Sequence, residues 1–70
     1  MIRLNDAEFE YRPGVSLREL AEEYYHYVPN VDFNEFIVIV NKVQLDSSQA
    51  EKRLLEDNDV IRFIAMLEGG

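Results

Sequence analysis

The 70-residue chain contains no cysteine and no tryptophan, one histidine, two prolines and three glycines. Without cysteine there is no disulfide framework, no thiolate zinc site and no thiol nucleophile. One histidine, with no glycine-rich phosphate loop and no metal-spaced histidine pair, supplies neither a nucleophile–base pair nor a metal cage, so a self-contained enzyme is not expected. Basic residues are scarce too: seven Lys and Arg stand against fourteen Asp and Glu, a formal charge of −7. Such a surface repels phosphate backbones and anionic bilayers, so neither nucleic acid nor membrane is an expected partner. Long apolar runs are missing, and the opening MIRLNDAEFE has neither the apolar stretch nor the small-residue cleavage site of a signal peptide. The expectation is a cytoplasmic protein of one small domain.

What is present is enough for one core: 47% of the residues are hydrophobic and 30% charged. Ile2 and Leu4, then Phe9 and Tyr11, alternate with Arg3, Glu8 and Glu10 around Asn5-Asp6, which reads as a β-hairpin over residues 2–11. Pro13-Gly14 stops the second strand, and Ser16 with Glu19 has the spacing of a capping box. Leu17, Leu20, Ala21, Tyr24 and Val28 then recur at helical spacing, which predicts an amphipathic helix from about 16 to 27, ended by Pro29. Val31 and Phe33 fall in a loop, with Phe33 expected under the helix. Phe36–Val40 is β-rich and apolar on both faces, as in a sheet interior, and Asn41-Lys42 turns it into a short extended piece, Val43–Leu45. Ser48 and Glu51 repeat the capping spacing and predict one or two helical turns over 49–55. Asp57-Asn58-Asp59 is a turn, and Val60–Leu67 the last strand.

One main helix available to cover one face of one sheet makes an α+β fold. A mixed four- or five-stranded sheet, with that helix on one face and a short helical turn before the last strand, is the ubiquitin-like β-grasp arrangement. Its first and last strands lie parallel in the centre, because a parallel pair needs a long crossover. The domain is expected to occupy residues 1–66, with residues 67–70 a flexible Gly-Gly tail. The inward phase of strands and helix predicts a core of Ile2, Leu4, Phe9, Leu17, Leu20, Val38, Val40, Leu55, Ile61 and Phe63.

Most chemistry-bearing side chains have ordinary explanations. His26 stands near the end of the helix with no second catalytic group beside it in sequence; Glu19, Glu22 and Glu23 read as a solvated helix face; Asp57 and Asp59 flank a turn. Tyr24, Tyr25 and Tyr27 lack the basic strip of a nucleic-acid stacking platform and read as packing. The terminal Gly69-Gly70 is different: two residues without Cβ atoms enter a channel closed to others, and a terminal carboxylate is an activatable acyl group.

Over essentially its whole length the chain resembles the ThiS/MoaD family of sulfur carriers, and the ThiS branch more closely. The resemblance is carried by Ile2, Leu4, Asn5 and Asp6 of an I-x-L-N-D opening, Pro13-Gly14 and V-S-L-R-E-L, V-I-V-N at residues 38–41, L-x-D-x-D-x-I from Leu55 to Ile61, and Gly69-Gly70. It implies that a ThiF/MoeB-like adenylating enzyme uses ATP to activate the carboxylate of Gly70. A sulfur donor then makes the thiocarboxylate, and thiazole synthase or another sulfur-accepting enzyme receives the sulfur, with thiamin (thiazole) biosynthesis the leading pathway. No cofactor is expected on the carrier itself. Asn58 and Lys42 stand where the family commonly has glycine, and Glu68 where it has small or apolar residues; the Pro-Pro stretch of MoaD tails is missing, which disfavours molybdopterin synthesis. A carrier for sulfur amino acids, a ubiquitin-like protein modifier and a plain β-grasp binding module are the other readings.

Strand phase adds a docking surface. If Ile61, Phe63 and Ala65 face the helix, Val60, Arg62, Ile64 and Met66 face away, as do Ile37 and Ile39 on the neighbouring strand. Ile37, Ile39, Ile64 and Met66, followed by Leu67 and Glu68, are the expected partner-binding residues, with an acidic rim that favours a basic partner surface. A monomer or weak homodimer is expected.

Overall fold

The structure, a computed structural model, describes residues 1–26 and 31–66. In chain order the elements are β1 (Ile2–Leu4), β2 (Ala7–Phe9), α1 (Leu17–Tyr24), a 3-10 turn (Phe33–Glu35), β3 (Phe36–Val40), β4 (Val43–Leu45), α2 (Ser47–Lys52) and β5 (Val60–Ala65). The strands form one mixed five-stranded sheet in the order β2-β1-β5-β3-β4. β1 and β5 are parallel, and the other pairs antiparallel. With α1 over one face, this is an α+β, β-grasp fold.

Turn chemistry explains the two hairpins. Leu4 pairs with Ala7 across Asn5-Asp6, and Asn5 takes φ +54°, a value Asn tolerates well. Val40 pairs with Val43 across Asn41 (φ +50°) and Lys42 (φ +71°), both positive as a type I′ hairpin turn demands. Lys42 has no special tolerance for that region, where an ordinary side chain costs about 1–2 kcal/mol. Asn58, at φ +72°, closes the turn before β5. The Arg12–Val15 turn, with Pro13 then Gly14 at φ +82°, is closed by the Val15 N–H donating to the Arg12 carbonyl at 3.1 Å.

Several boundaries differ from the sequence expectation, each for a local reason. β2 stops at Phe9, opposite Ile2, and Tyr11 lies outside it, 39% exposed; the Met1 carbonyl is taken by the Asn58 N–H (3.1 Å), so the ladder has no further rung. α1 begins as expected, the Glu19 N–H donating to Ser16 Oγ at 3.1 Å, but the Glu19 carboxylate accepts from the Ser16 hydroxyl (3.3 Å) instead of closing a full capping box. It ends at Tyr24 because His26 swings to φ +62° with its N–H on the Glu23 carbonyl (3.2 Å), before Pro29 is reached. Tyr27, Val28 and Pro29 lie outside the described residues. α2 starts earlier than expected, since Asp46 and Gln49 make the capping box, with Gln49 N–H to Asp46 Oδ1 at 2.8 Å, in place of Ser48 and Glu51. It stops at Lys52 because Arg53–Leu55 is drawn alongside residues 15–17: the Leu17 N–H donates to the Arg53 carbonyl and the Leu55 N–H to the Val15 carbonyl, both 2.9 Å. β5 ends at Ala65, and Ala65 is exposed beyond the core.

Leu17, Leu20 and Ala21 of α1 are buried against Ile2, Leu4, Val38, Val40, Ile61 and Phe63 of the sheet, with Leu55 closing one end. Phe9 is only half-buried at the edge strand, while Val15, Val31 and Ala50 join the core unannounced. Phe33 does tuck in, 1% exposed, with the Arg18 guanidinium 5.1 Å above its ring. Arg18 also reaches the Val31 carbonyl (3.4 Å), Glu22 (3.5 Å) and Glu51, tying α1, α2 and the 3-10 turn together.

Two asparagines fasten β5. Asn5 Oδ1 accepts from the Phe63 N–H (2.9 Å); Asn41 Oδ1 accepts from the Val60 N–H (2.9 Å) while its Nδ2 donates to Asp59 (2.8 Å). Asp59, 5% exposed, also accepts from the Glu56 N–H at 2.8 Å. Removing that carboxylate strands an N–H and an amide, so Asp59→Ala is expected to cost about 1–3 kcal/mol. Asp59→Asn keeps one of the two acceptor oxygens and should fall between; equal urea midpoints for all three proteins would refute the network. Leu20→Ala, at a side chain with 0% exposure, is expected to cost on the order of 2–5 kcal/mol. An unchanged midpoint there would show that α1 packs on another face.

Candidate functional site

Gly69 and Gly70, with Leu67 and Glu68, lie outside the described residues. What is described is the platform they leave from. β5 is the central strand, and after the Phe36–Ala65 pair the Met66 N–H still donates to the Glu35 carbonyl at 3.0 Å. The chain is therefore held in the sheet up to the residue before the tail.

The face of the sheet away from α1 has no helix over it among the described residues. Ile37 and Ile64 are directly opposed across the β3–β5 ladder. Ile39 sits one step along the same face opposite Arg62, and Met66 continues the phase at the other end. Ile64 is 39% and Met66 47% exposed, while Ile37 and Ile39 are half-buried. These four residues form a stripe, widest at Ile37–Ile64 and interrupted by Arg62.

That face also carries charge. Arg3, paired with Val60 in the β1–β5 ladder, bridges to Glu8 at 4.0 Å, and Arg62 and Lys42 are exposed beside Ile39. Glu35 is exposed across from Met66, and other acids are paired elsewhere. Glu23 meets Arg12 (3.7 Å), Glu22 and Glu51 meet Arg18, and Asp57 meets the terminal ammonium (2.7 Å). Net charge is a sum and carries no direction, whereas alternation along β1 and β5 puts Arg3 and Arg62 on the open side.

The other chemistry-bearing residues form no second site. His26 is exposed at the end of α1. Tyr24 and Tyr25 pack edge to face (4.9 Å), the Tyr24 hydroxyl donates to Asp6 (3.0 Å), and Tyr25 lies against Phe36 and Phe63, whose burial, with Tyr24 beside it, pushes its phenol pKa up. The Gln49 N–H, then the Ser48 hydroxyl, hold the Asp46 carboxyl below its ordinary range, and the terminal ammonium does the same for Asp57. Both lowered values belong to a cap and a terminus, and their contribution is present at neutral pH and fades as acid protonates them. Among the described residues no three His, Cys, Asp or Glu side chains converge on a metal geometry, and no helix is long and apolar enough to cross a membrane. No protein-family model and no curated protein matches the chain.

Proposed function

We propose that this chain is a sulfur carrier of the ThiS/MoaD type, a substrate of other enzymes with no turnover of its own. A ThiF/MoeB-like enzyme adenylates the Gly70 carboxylate with ATP, releasing pyrophosphate. Sulfur delivered by a donor displaces AMP and leaves a thiocarboxylate on Gly70, which passes its sulfur to an acceptor enzyme, thiazole synthase being the leading candidate. The supporting observation is the placement of β5: the central strand of a β-grasp sheet passes the partly exposed Ile37–Ile64 pair and leads into Leu67, Glu68, Gly69 and Gly70. A partner seated on Ile37, Ile64 and Met66 would have the last four residues within reach of its ATP site, since four extended residues span up to about 13–14 Å. Two residues without Cβ atoms suit a narrow channel there.

Deleting Gly70 is expected to leave the unfolding midpoint unchanged and to abolish ATP–pyrophosphate exchange with the cognate adenylating enzyme; persistent exchange by a chain ending at Gly69 would sink the proposal. With ATP, enzyme and sulfur donor present, mass spectrometry should find one oxygen replaced by sulfur on the carrier. Isopeptide ladders on other proteins would point instead to a protein modifier. Ile64→Asp is expected to weaken binding to the adenylating enzyme by about tenfold or more, while stability moves far less because the side chain is 39% exposed. Full affinity in that variant, by calorimetry at fixed salt, would move the interface off this face.

A further inference from the structure

The open face has a second end of different character, at the start of β5. There the β3–β4 turn stands beside the first residues of β5 and bounds a hollow of about 550 Å³, lined by Ile39, Asn41, Lys42, Val60 and Arg62. Its floor is apolar: Ile39 is half-buried and Val60 48% exposed. Its wall is fixed, because the Asn41 side chain is engaged on both sides, by the Val60 N–H and by Asp59. Its rim is cationic. Arg3, Arg12 and Arg18 are matched with glutamates, whereas Lys42 and Arg62, like Lys52 and Arg53 elsewhere on the molecule, have no ion-pair partner among the described residues. The acid closest in sequence, Asp59, is 5% exposed and committed to Asn41 and the Glu56 N–H. In a chain of net charge −7, two unmatched cations flank one apolar depression, and Lys42 holds its place at a positive φ that glycine would adopt with less strain.

We propose that this hollow docks a segment of a partner protein in which an apolar side chain is flanked by Asp or Glu. The apolar group lies on Ile39 and Val60, and the carboxylates pair with Lys42 and Arg62. A polyanion fits less well, since the net charge of the whole chain opposes it. The inference is independent of any chemistry at Gly70.

The test is an NMR titration of the full-length 15N-labelled chain at low salt with three capped peptides: acetyl-Glu-Leu-Glu-amide, acetyl-Lys-Leu-Lys-amide and acetyl-Glu-Gly-Glu-amide. The first is expected to shift the amides of Ile39, Asn41, Lys42, Val60 and Arg62 saturably. The basic and leucine-free peptides should bind on the order of tenfold more weakly, and added salt should erase the preference for acid over base. Arg62→Glu should abolish that preference while the spectrum stays dispersed; Arg62→Gln, which changes the charge without reversing it, serves if the first variant fails to fold. Absence of shifts, shifts spread over other residues, or equal response to acidic and basic peptides would overturn the proposal. So would shifts that grow with protein concentration alone, which assign the hollow to a second copy, or a stronger response to an oligothymidylate, which assigns it to nucleic acid.

Discussion

Within the sheet β1 and β3 are not neighbours; their ladders are joined through β5, which lies parallel to the first and antiparallel to the second. Until β5 is in its slot, β1–β2 and β3–β4 are two separate hairpins, and such ribbons are marginal alone. Both contacts of β5 span long stretches of chain, so loop-closure entropy is lost before either ladder repays it. Asn5 and Asn41 bear on this step directly. Each sits at positive φ at the end of a flanking strand and offers its side-chain oxygen to a β5 N–H, at Phe63 and Val60 respectively. The residue that turns the hairpin is thus the residue that grips the strand between the hairpins, and a substitution there acts on both.

Alternation and helical spacing made the architecture legible. Ile2, Leu4, Leu17, Leu20, Val38, Val40, Ile61 and Phe63 fall where their phase puts them, because burying one face of an element leaves little freedom. Boundaries were less legible, since they depend on competitors that sequence spacing does not rank. Asp46 displaced Ser48 as the cap of α2, and the pull of residues 15–17 on Arg53–Leu55 ended that helix, a contact between segments far apart in sequence. Val31 has no periodicity to announce its burial; it joins the cluster around Phe33, which packs on Phe63 beneath Arg18.

On the open face, the apolar phase of Ile37, Ile39, Ile64 and Met66 was readable, because a strand has only two sides. The grouping of Lys42 with Arg62 was not, because it depends on how a two-residue turn at the end of β3 projects beside the first residues of β5. The result is a face with direction: apolar beside the exposed Glu35 where the chain leaves the sheet at Met66, cationic and recessed at the start of β5. A flat apolar stripe permits several orientations of a partner, whereas two chemically distinct ends select one.

The sheet is bounded by β2 and β4, each three residues long. β2 carries Glu8 at its middle and β4 carries Gln44, with Val43 at the turn 59% exposed. Edges this short present too few free backbone groups to template a neighbour's strand, and a carboxylate on one of them repels its own kind. In crowded solution the native protein is thereby poorly suited to lateral polymerisation into fibres.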